Sequence, residues 1–180
     1  MDRGRQVFLV RHGEADYDRL SAFAPVYHGG RRDFAPLTDL GVRQAEGAAE
    51  LLRDARPEVV VASPYARTLQ TAALIAARLG CELRVEPALH DWLPVRDGAA
   101  SVTGETVRQK IEEYEAWSRS GLLPPDRTWE TDEDMAARVR EAVSRHVTPG
   151  PLVVVTHEAV IKSATGADVV DLASVHRLTR

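Results

Sequence analysis

The stretch VFLVRHGE, residues 7–14, carries the first strong sign of the fold. Residues 7–10 form a short apolar run of β-branched and aromatic side chains, which predicts a buried strand. Gly13 follows closely, so the strand is expected to end in a tight turn. Two further apolar runs of the same kind occur along the chain, at residues 59–62 and 152–155.

Helical patterns fill the intervals between these strands. Apolar residues recur at helical spacing in five stretches, which lie at residues 42–52, 69–76, 107–114, 135–143 and 159–164. Thr38 or Asp39 is expected to cap the first helix. Ser63 and Pro64 predict the start of the second helix, with Ser63 as N-cap and Pro64 at the first helical position.

Strands and helices alternate along the whole sequence. This order predicts an α/β fold, a three-layer αβα sandwich around a mostly parallel sheet, to which residues 82–85 and 175–178 add two shorter strands. Residues 21–36 and 87–103 lack a clear period and are expected to be irregular segments near the functional site. Because the sequence shows no internal repeat or linker, we expect residues 1–180 to form a single domain.

Composition and charge argue against several classes of protein. The formal net charge is -4 and no long Lys/Arg run occurs, so neither nucleic acid nor a membrane is expected as a partner. Cys81 is the only cysteine, which excludes a disulfide framework and a cysteine-based metal site. Residues 1–6 are charged, and no apolar run approaches the roughly 20 residues that span a bilayer. We therefore expect a cytoplasmic protein, and the oligomeric state stays open.

The residues that follow the three apolar runs are suited to chemistry. Arg11 and His12 follow the first run, Arg67 lies shortly after the second, and His157 and Glu158 follow the third. The carboxyl ends of parallel strands meet at one rim of a sheet, where ligands bind. Two imidazoles and two guanidinium groups are therefore expected to lie together at that rim.

This combination of side chains suits a phosphoryl group. Guanidinium groups match the geometry of phosphate oxygens and stay charged at any working pH. A neutral imidazole can attack phosphorus and form a covalent intermediate. Helix N-termini at Ser63 and after His157 would add backbone N–H donors. Phosphoryl transfer depends mainly on such positioned positive charge.

Four stretches, in the same order along the chain, resemble the motifs of a known family. They are LVRHGE at residues 9–14, LTDLGVRQA at 37–45, SPYARTLQTA at 63–72 and VVTH at 154–157. On these motifs the chain resembles the histidine phosphatase superfamily, also called phosphoglycerate mutase-like proteins, over roughly residues 7–166. The resemblance implies the phosphoglycerate mutase-like form of the αβα fold.

The resemblance also implies roles for particular residues. His12 would be the nucleophile that becomes transiently phosphorylated, and Arg11, Arg67 and His157 would complete the phosphate pocket. The implied activity is that of a metal-independent phosphomonoesterase, a hydrolase that acts on a small phosphorylated substrate without a cofactor. Two in-line displacements are expected: His12 takes the phosphoryl group as the alcohol leaves, and water then attacks phospho-His12.

The leaving alcohol needs a proton, and two carboxyl groups are candidates for the general acid. Many family members have a Glu two residues after a Leu in the central irregular segment. This chain reads LHDW at residues 89–92, so Asp91 is the first choice. Other branches use an acid directly after the second histidine, which makes Glu158 the second choice. Either carboxyl would need a raised pKa to carry a proton near neutral pH.

Two features leave the substrate open. Ala15 and Asp18 stand where many relatives have Thr and Asn, and a charged Asp18 would repel phosphate unless it points away. The short stretch between Asp91 and Val107 leaves little chain for a lid that excludes water, which favours hydrolysis over transfer. The alternatives are a phosphoglycerate-type mutase, a protein-phosphohistidine phosphatase, and an inactive module that binds phosphorylated ligands.

Overall fold

The computed structural model describes residues 6–20, 31–96, 102–146 and 148–178. Its strands are β1 (Val7–Arg11), β2 (Val59–Ala62), β3 (Glu82–Val85), β4 (Leu152–Thr156) and β5 (Val175–Arg177). Its α-helices are α1 (Asp39–Leu52), α2 (Ala66–Leu79), α3 (Gly104–Ser120), α4 (Asp132–Arg145) and α5 (Glu158–Thr165). Short 3₁₀ helices lie at Arg31–Phe34, Arg53–Ala55 and Pro87–Leu89. Residues 21–30 and 97–101 of the two predicted irregular segments lie outside the described residues.

The five strands form one sheet in the order β3-β2-β4-β1-β5. Strand β5 runs antiparallel to β1 at one edge, and the other neighbouring strands are parallel. Arg11 of β1 lies opposite Thr156 of β4, so the next residues, His12 and His157, leave the sheet side by side. Strand β2 ends at the same rim, where Ser63 follows it. The sheet thus brings the chain segments with the predicted chemistry together.

Each face of the sheet buries its own set of side chains, because successive residues of a strand point to opposite faces. On one face, Leu9 and Val154 pack with residues of α4 and α5. On the other face, Val10 and Val155 pack with residues of α1 and α2. The predicted three-layer αβα sandwich is therefore confirmed. Helix α3 has no buried residue and belongs to neither core.

The helix after β2 begins later than the sequence predicts. Ser63 and Pro64 do not start it, because α2 begins at Ala66 with Tyr65 as an extended N-cap residue. Ser63 is fully buried, and its hydroxyl hydrogen-bonds to His157 instead of capping a helix. The prediction of Ser63 as N-cap was therefore wrong, since a hydrogen bond to His157, the residue after β4, replaces the local capping interaction.

The turn after β1 packs directly against the start of α1. A Cβ atom on Gly13 would come within 2.5 Å of the carbonyl oxygen of Gly41, and a Cβ atom on Gly41 would clash with the carbonyl oxygen of Glu14. Thr38 caps α1, as one of the two predicted residues, and its backbone N–H donates to the Glu14 carbonyl at 3.0 Å. Glycine at both positions lets the helix start support the turn that carries His12.

Candidate active site

His12 leaves β1 at the rim of the sheet and is almost fully buried. Its Nδ1–H donates to the carbonyl oxygen of Gly13 at 2.8 Å, and the Gly13 N–H donates to Oγ1 of Thr71 at 3.0 Å. A carbonyl oxygen can only accept, so Nδ1 must carry the proton. The second ring nitrogen, Nε2, therefore carries no proton.

Arg67 lies at the second position of α2 and joins the two histidines. Its Nε–H donates to Nε2 of His12 at 3.1 Å, and its Nη2 lies 3.2 Å from Nδ1 of His157. Its Nη1 donates to the carbonyl oxygen of Arg32 at 3.0 Å. Because the side chain is only 4% exposed, these contacts hold the guanidinium group in one orientation between the rings.

His157 is the N-cap residue of α5 and is also buried. Its Nε2 lies 2.9 Å from Oγ of Ser63, and its Nδ1 faces Arg67. A guanidinium group can only donate, so Nδ1 accepts in this state and Nε2–H donates to Ser63. The ring centroids of His12 and His157 lie 5.4 Å apart. Both imidazoles and the Arg67 guanidinium thus share one site.

Burial keeps both imidazoles neutral. Burial lowers the pKa of His12 to about 4; the hydrogen bond to Gly13 opposes this shift, and the charge of Arg67 adds to it. The pKa of His157 is lowered well below its usual range, first by burial and then by the charge of Arg67. At neutral pH both rings are therefore uncharged, and His12 has the protonation state that a nucleophile needs.

Arg11 reaches the same rim but is held by other groups. Its Nη1 donates to the carbonyl oxygen of Val170 at 2.7 Å and lies 2.8 Å from Oε2 of Glu158. Glu158 also accepts a hydrogen bond from Nζ of Lys162 at 2.7 Å. The bond from Lys162, helped by the charge of Arg11, lowers the pKa of Glu158. Glu158 is thus an anion that holds Arg11 in position.

Two other carboxyl groups lie near Arg67. Oδ2 of Asp91 lies 3.2 Å from Nη2 of Arg67 and 3.4 Å from Nδ1 of His157. Asp33, in the 3₁₀ helix Arg31–Phe34, lines the same cavity as Asp91. Burial raises the pKa of Asp33; the charge of Arg67 opposes this rise, and that of Asp91 adds to it. Asp91 is therefore the carboxyl in direct contact with Arg67 and His157.

A cavity of about 1080 Å³ opens beside this cluster. Arg67, Asp91 and Glu158 line part of it, and residues 92–95 together with α3 line much of the remainder. Within the described residues, no group of three or more His, Cys, Asp or Glu side chains is arranged to hold a metal ion. The cavity is thus lined by the guanidinium groups of Arg32 and Arg67, and Arg67 connects it to the two buried imidazoles.

The family model of the histidine phosphatase superfamily (branch 1) matches residues 7–178. The chain belongs to this superfamily. The match includes both strand ends that carry the histidines, and it extends to β5 at the edge of the sheet. The resemblance inferred from the four sequence motifs is therefore confirmed.

Two curated relatives show how this chain compares with other members of the superfamily. The protein of Photorhabdus laumondii named "Probable phosphoglycerate mutase GpmB" is 30% identical over 141 residues, which cover 77% of this chain and 61% of that protein. The glucosyl-3-phosphoglycerate phosphatase of Mycobacterium tuberculosis is 29% identical over 154 residues, which cover 83% of this chain and 63% of that protein. The chain thus spans less than two thirds of the length of either relative.

A solved structure supports the same assignment of the fold. The native structure of a mycobacterial glucosyl-3-phosphoglycerate phosphatase superposes with a TM-score of 0.67 at 25% identity, over 98% of this chain and 90% of that chain. The chain therefore has the phosphoglycerate mutase-like fold over the described residues. No helix in the described part of the chain is long and apolar enough to cross a membrane.

Two polar residues of the site could not be identified from the sequence motifs. Ser63 carries a local helix-start signal, which concealed its hydrogen bond to His157. Asp33 lies in a segment without a clear period, and nothing in its neighbours along the chain marks it as part of the cavity. Asp18, which the sequence left as a possible source of repulsion, is exposed and does not line the cavity. It therefore gives no reason to doubt that phosphate can bind.

Proposed function

We propose that this protein hydrolyses small phosphate monoesters through a phosphohistidine intermediate on His12, as a metal-independent phosphomonoesterase. The observation that carries the proposal is the hydrogen bond from Nδ1–H of His12 to Gly13, which leaves Nε2 unprotonated beside Arg67. The pKa of about 4 for His12 keeps this nitrogen free of a proton at neutral pH. Membership of the histidine phosphatase superfamily supports the same chemistry.

The reaction has two displacements. In the first, the phosphoryl group binds to Arg67 and to Nδ1 of His157, which then carries the ring proton while the Ser63 hydroxyl donates to Nε2, and Nε2 of His12 attacks phosphorus. The P–N bond forms as the P–O bond to the alcohol breaks, and the alcohol oxygen takes from Asp91 a proton that the monoanionic phosphate ester passed to this carboxylate on binding. In the second, water attacks phosphorus and gives its proton to the Asp91 carboxylate. The P–N bond then breaks, phosphate leaves, and Nε2 regains its lone pair.

Asp91 is a better general acid in this proposal than Glu158, the second choice from the sequence. Glu158 has a lowered pKa and pairs with Arg11 and Lys162, so its proton is lost more readily than that of an ordinary carboxyl. Asp91 contacts the two groups that would bind the phosphoryl oxygens. Glu158 then acts by positioning Arg11 for the phosphoryl group.

The choice between hydrolysis and phosphoryl transfer rests on the sequence and on the relatives. The relatives include a probable phosphoglycerate mutase and a glucosyl-3-phosphoglycerate phosphatase, and the short stretch between Asp91 and Val107 favours hydrolysis. From the sequence we also propose that residues 1–180 form a single domain and that the protein is cytoplasmic. Mutase, phosphohistidine phosphatase and binding-module activities are outcomes that the experiment must separate.

The test compares the wild type with His12→Asn. The side-chain amide of Asn can still donate to the Gly13 carbonyl, so the buried turn keeps its hydrogen bond while the nucleophile is lost. We expect hydrolysis of 4-nitrophenyl phosphate to fall by about 10³-fold or more. We also expect rapid quenching to trap an acid-labile phosphoprotein in the wild type and none in His12→Asn.

His176→Asn is the matched control, because His176 lies on the edge strand β5 and hydrogen-bonds to Ser174 outside the site. It should keep full activity and the same phosphoprotein. Phosphate release by the wild type no greater than by His12→Asn would show a binding module. Interconversion of phosphoglycerates faster than phosphate release, with a bisphosphorylated primer present, would show a mutase. A preference for phosphorylated histidine peptides over small esters would show a protein-phosphohistidine phosphatase.

A further inference from the structure

The cavity beside the histidines continues along two apolar surfaces. One is the segment Trp92, Leu93, Pro94 and Val95, which follows Asp91 directly. The other is a face of α3 on which Val107, Ile111 and Tyr114 recur at helical spacing. Asp91 and Arg67 line the same cavity. When the phosphoryl group of a substrate is bound at Arg67, the alcohol portion of that substrate would therefore lie in this cavity.

The first apolar surface is held in a fixed shape. The indole Nε1–H of Trp92 donates to the carbonyl oxygen of Glu130 at 2.9 Å, and the backbone N–H of Leu93 donates to Oε2 of the same residue at 3.0 Å. Glu130 is buried and receives two hydrogen bonds from Arg138, each of 2.9 Å. These bonds leave residues 92–95 little freedom to present other groups to a ligand.

The polar side chains near α3 have partners within the protein. The Tyr114 hydroxyl donates to Oδ1 of Asp132 at 2.6 Å, so mainly its ring is left for a ligand. The Thr103 hydroxyl oxygen accepts the backbone N–H of Thr106 at 3.1 Å as the cap of α3. A substrate rich in hydroxyl groups would lose hydrogen bonds to water here and regain few from these walls, which is unfavourable.

Charge disfavours a second anionic group on the substrate. Among the described residues that line the cavity, the cations are Arg67, which contacts both histidines, and Arg32, whose guanidinium lies 4.2 Å from the centre of the Tyr17 ring. The carboxyl groups that line the cavity are those of Asp33, Asp91, Glu115 and Glu158.

We propose that the site selects phosphate monoesters of bulky, uncharged, mainly apolar alcohols, such as aryl-alkyl alcohols, over phosphorylated sugars and phosphoglycerates. This inference rests on the proposed phosphatase function. The phosphoryl group binds at His12, Arg67 and His157, and the apolar body of the alcohol packs between residues 92–95 and the Val107–Ile111 face of α3. Burial of that body supplies the discrimination.

The test compares primary alkyl esters, so that the intrinsic reactivity of the ester is similar in each case. We expect kcat/KM for 3-phenylpropyl phosphate to exceed that for glycerol 1-phosphate by about 30-fold, which corresponds to about 2 kcal/mol of apolar burial. The value for 3-phosphoglycerate should be lower again because of its carboxylate.

A substitution on α3 tests whether this helix supplies the preference for 3-phenylpropyl phosphate over glycerol 1-phosphate. Ile111→Asn adds a polar group on the exposed apolar face of α3. It should lower the ratio of kcat/KM between 3-phenylpropyl phosphate and glycerol 1-phosphate by about fivefold. Leu122→Asn is the matched control, since Leu122 is 79% exposed, follows α3 and does not line the cavity. This control should keep the wild-type ratio.

The outcomes separate this inference from the proposed function. Hydrolysis of all three esters with equal kcat/KM, or a preference for glycerol 1-phosphate or 3-phosphoglycerate, would overturn the inference and leave the phosphatase function standing. An equal loss of the ratio in Ile111→Asn and Leu122→Asn would also overturn it. Hydrolysis of none of the three esters by the wild type would overturn both proposals together.

Discussion

Oδ2 of Asp91 lies 3.2 Å from Nη2 of Arg67, the guanidinium nitrogen that also faces His157. The Asp91 carboxylate therefore accepts a hydrogen bond from the same guanidinium group that binds the phosphoryl group in the proposed mechanism. A bound phosphate would compete with Asp91 for these donors and would repel its negative charge. Substrate binding is thus expected to direct Asp91 away from Arg67 and toward the leaving oxygen.

Replacement of Asp91 should separate binding from turnover. In Asp91→Asn we expect the affinity for inorganic phosphate to rise about fivefold, the effect of removing roughly 1 kcal/mol of repulsion. We expect kcat for an alkyl phosphate to fall about 100-fold through loss of the proton donor. The decrease should be much smaller for 4-nitrophenyl phosphate, because its leaving group needs no proton. Calorimetric titration with phosphate and steady-state kinetics measure these effects.

Asp18→Asn is the control for the change in charge, because Asp18 is exposed and lies outside the cavity. It should leave both phosphate affinity and kcat within about twofold of the wild type. An unchanged phosphate affinity in Asp91→Asn would contradict the competition between carboxylate and phosphate.

The hydrogen bond between Ser63 and His157 should determine which nitrogen of His157 carries the proton. In Ser63→Ala the Nε2–H loses its buried acceptor, so we expect kcat to fall about 10-fold and stability to fall by about 1–3 kcal/mol. Nitrogen chemical shifts of labelled histidine should report a change in the tautomer of His157. A purely structural role would lower stability without moving those shifts.

Ser174→Ala is the matched control, since Ser174 makes a similar bond of 2.8 Å to Nε2 of His176 outside the site. Its effect on the ring nitrogens should be confined to His176, with kcat unchanged. Equal losses of kcat in the two serine variants would refute the positioning role of Ser63.

The lowered pKa of His12 predicts how stability depends on pH. Between its ordinary value of 6.5 and about 4, the unfolded chain binds a proton at this histidine and the folded chain does not. Stability contributed by the neutral ring is therefore complete above pH 6.5 and falls as the pH falls toward 4, at about 1.4 kcal/mol per pH unit. His157 should act in the same direction.

Urea unfolding at pH 7 and pH 5 measures this effect. Between pH 7 and pH 5 we expect the free energy of unfolding to fall by about 2 kcal/mol more in the wild type than in His12→Asn, which lacks the titrating ring. His176→Asn should keep the wild-type dependence. Identical losses in the wild type and His12→Asn would show that the ring is not kept neutral by burial.

The close approach of Gly41 to Glu14 predicts a position where no side chain fits. Gly41→Ala should lower the free energy of unfolding by about 2–3 kcal/mol, because the Cβ atom meets backbone rather than a movable side chain. Gly47 lies on the same helix, and a Cβ atom there would meet nothing within 4 Å. Gly47→Ala should therefore raise the free energy of unfolding by about 0.5–1 kcal/mol. Thermal or urea unfolding of the pair tests the packing, and a neutral Gly41→Ala would contradict it.

Much of the architecture follows from local patterns. Short apolar runs predicted β1, β2 and β4, and helical spacing predicted all five helices to within a few residues at most ends. The glycine at the end of α2, Gly80, has the left-handed backbone that its position suggests. Local patterns succeed here because one face of each element must be buried against the sheet.

The sequence alone determined the αβα fold, the family, and the meeting of His12, Arg67 and His157, because the carboxyl ends of parallel strands must share one rim. Only the tertiary structure decided the partner of Ser63, the place of Asp33 in the cavity, and the contacts that make Glu158 an anion. Each of these depends on a group distant along the chain or on the degree of burial. No local pattern of residue types records such distances, so they emerge only when the sheet and helices pack together.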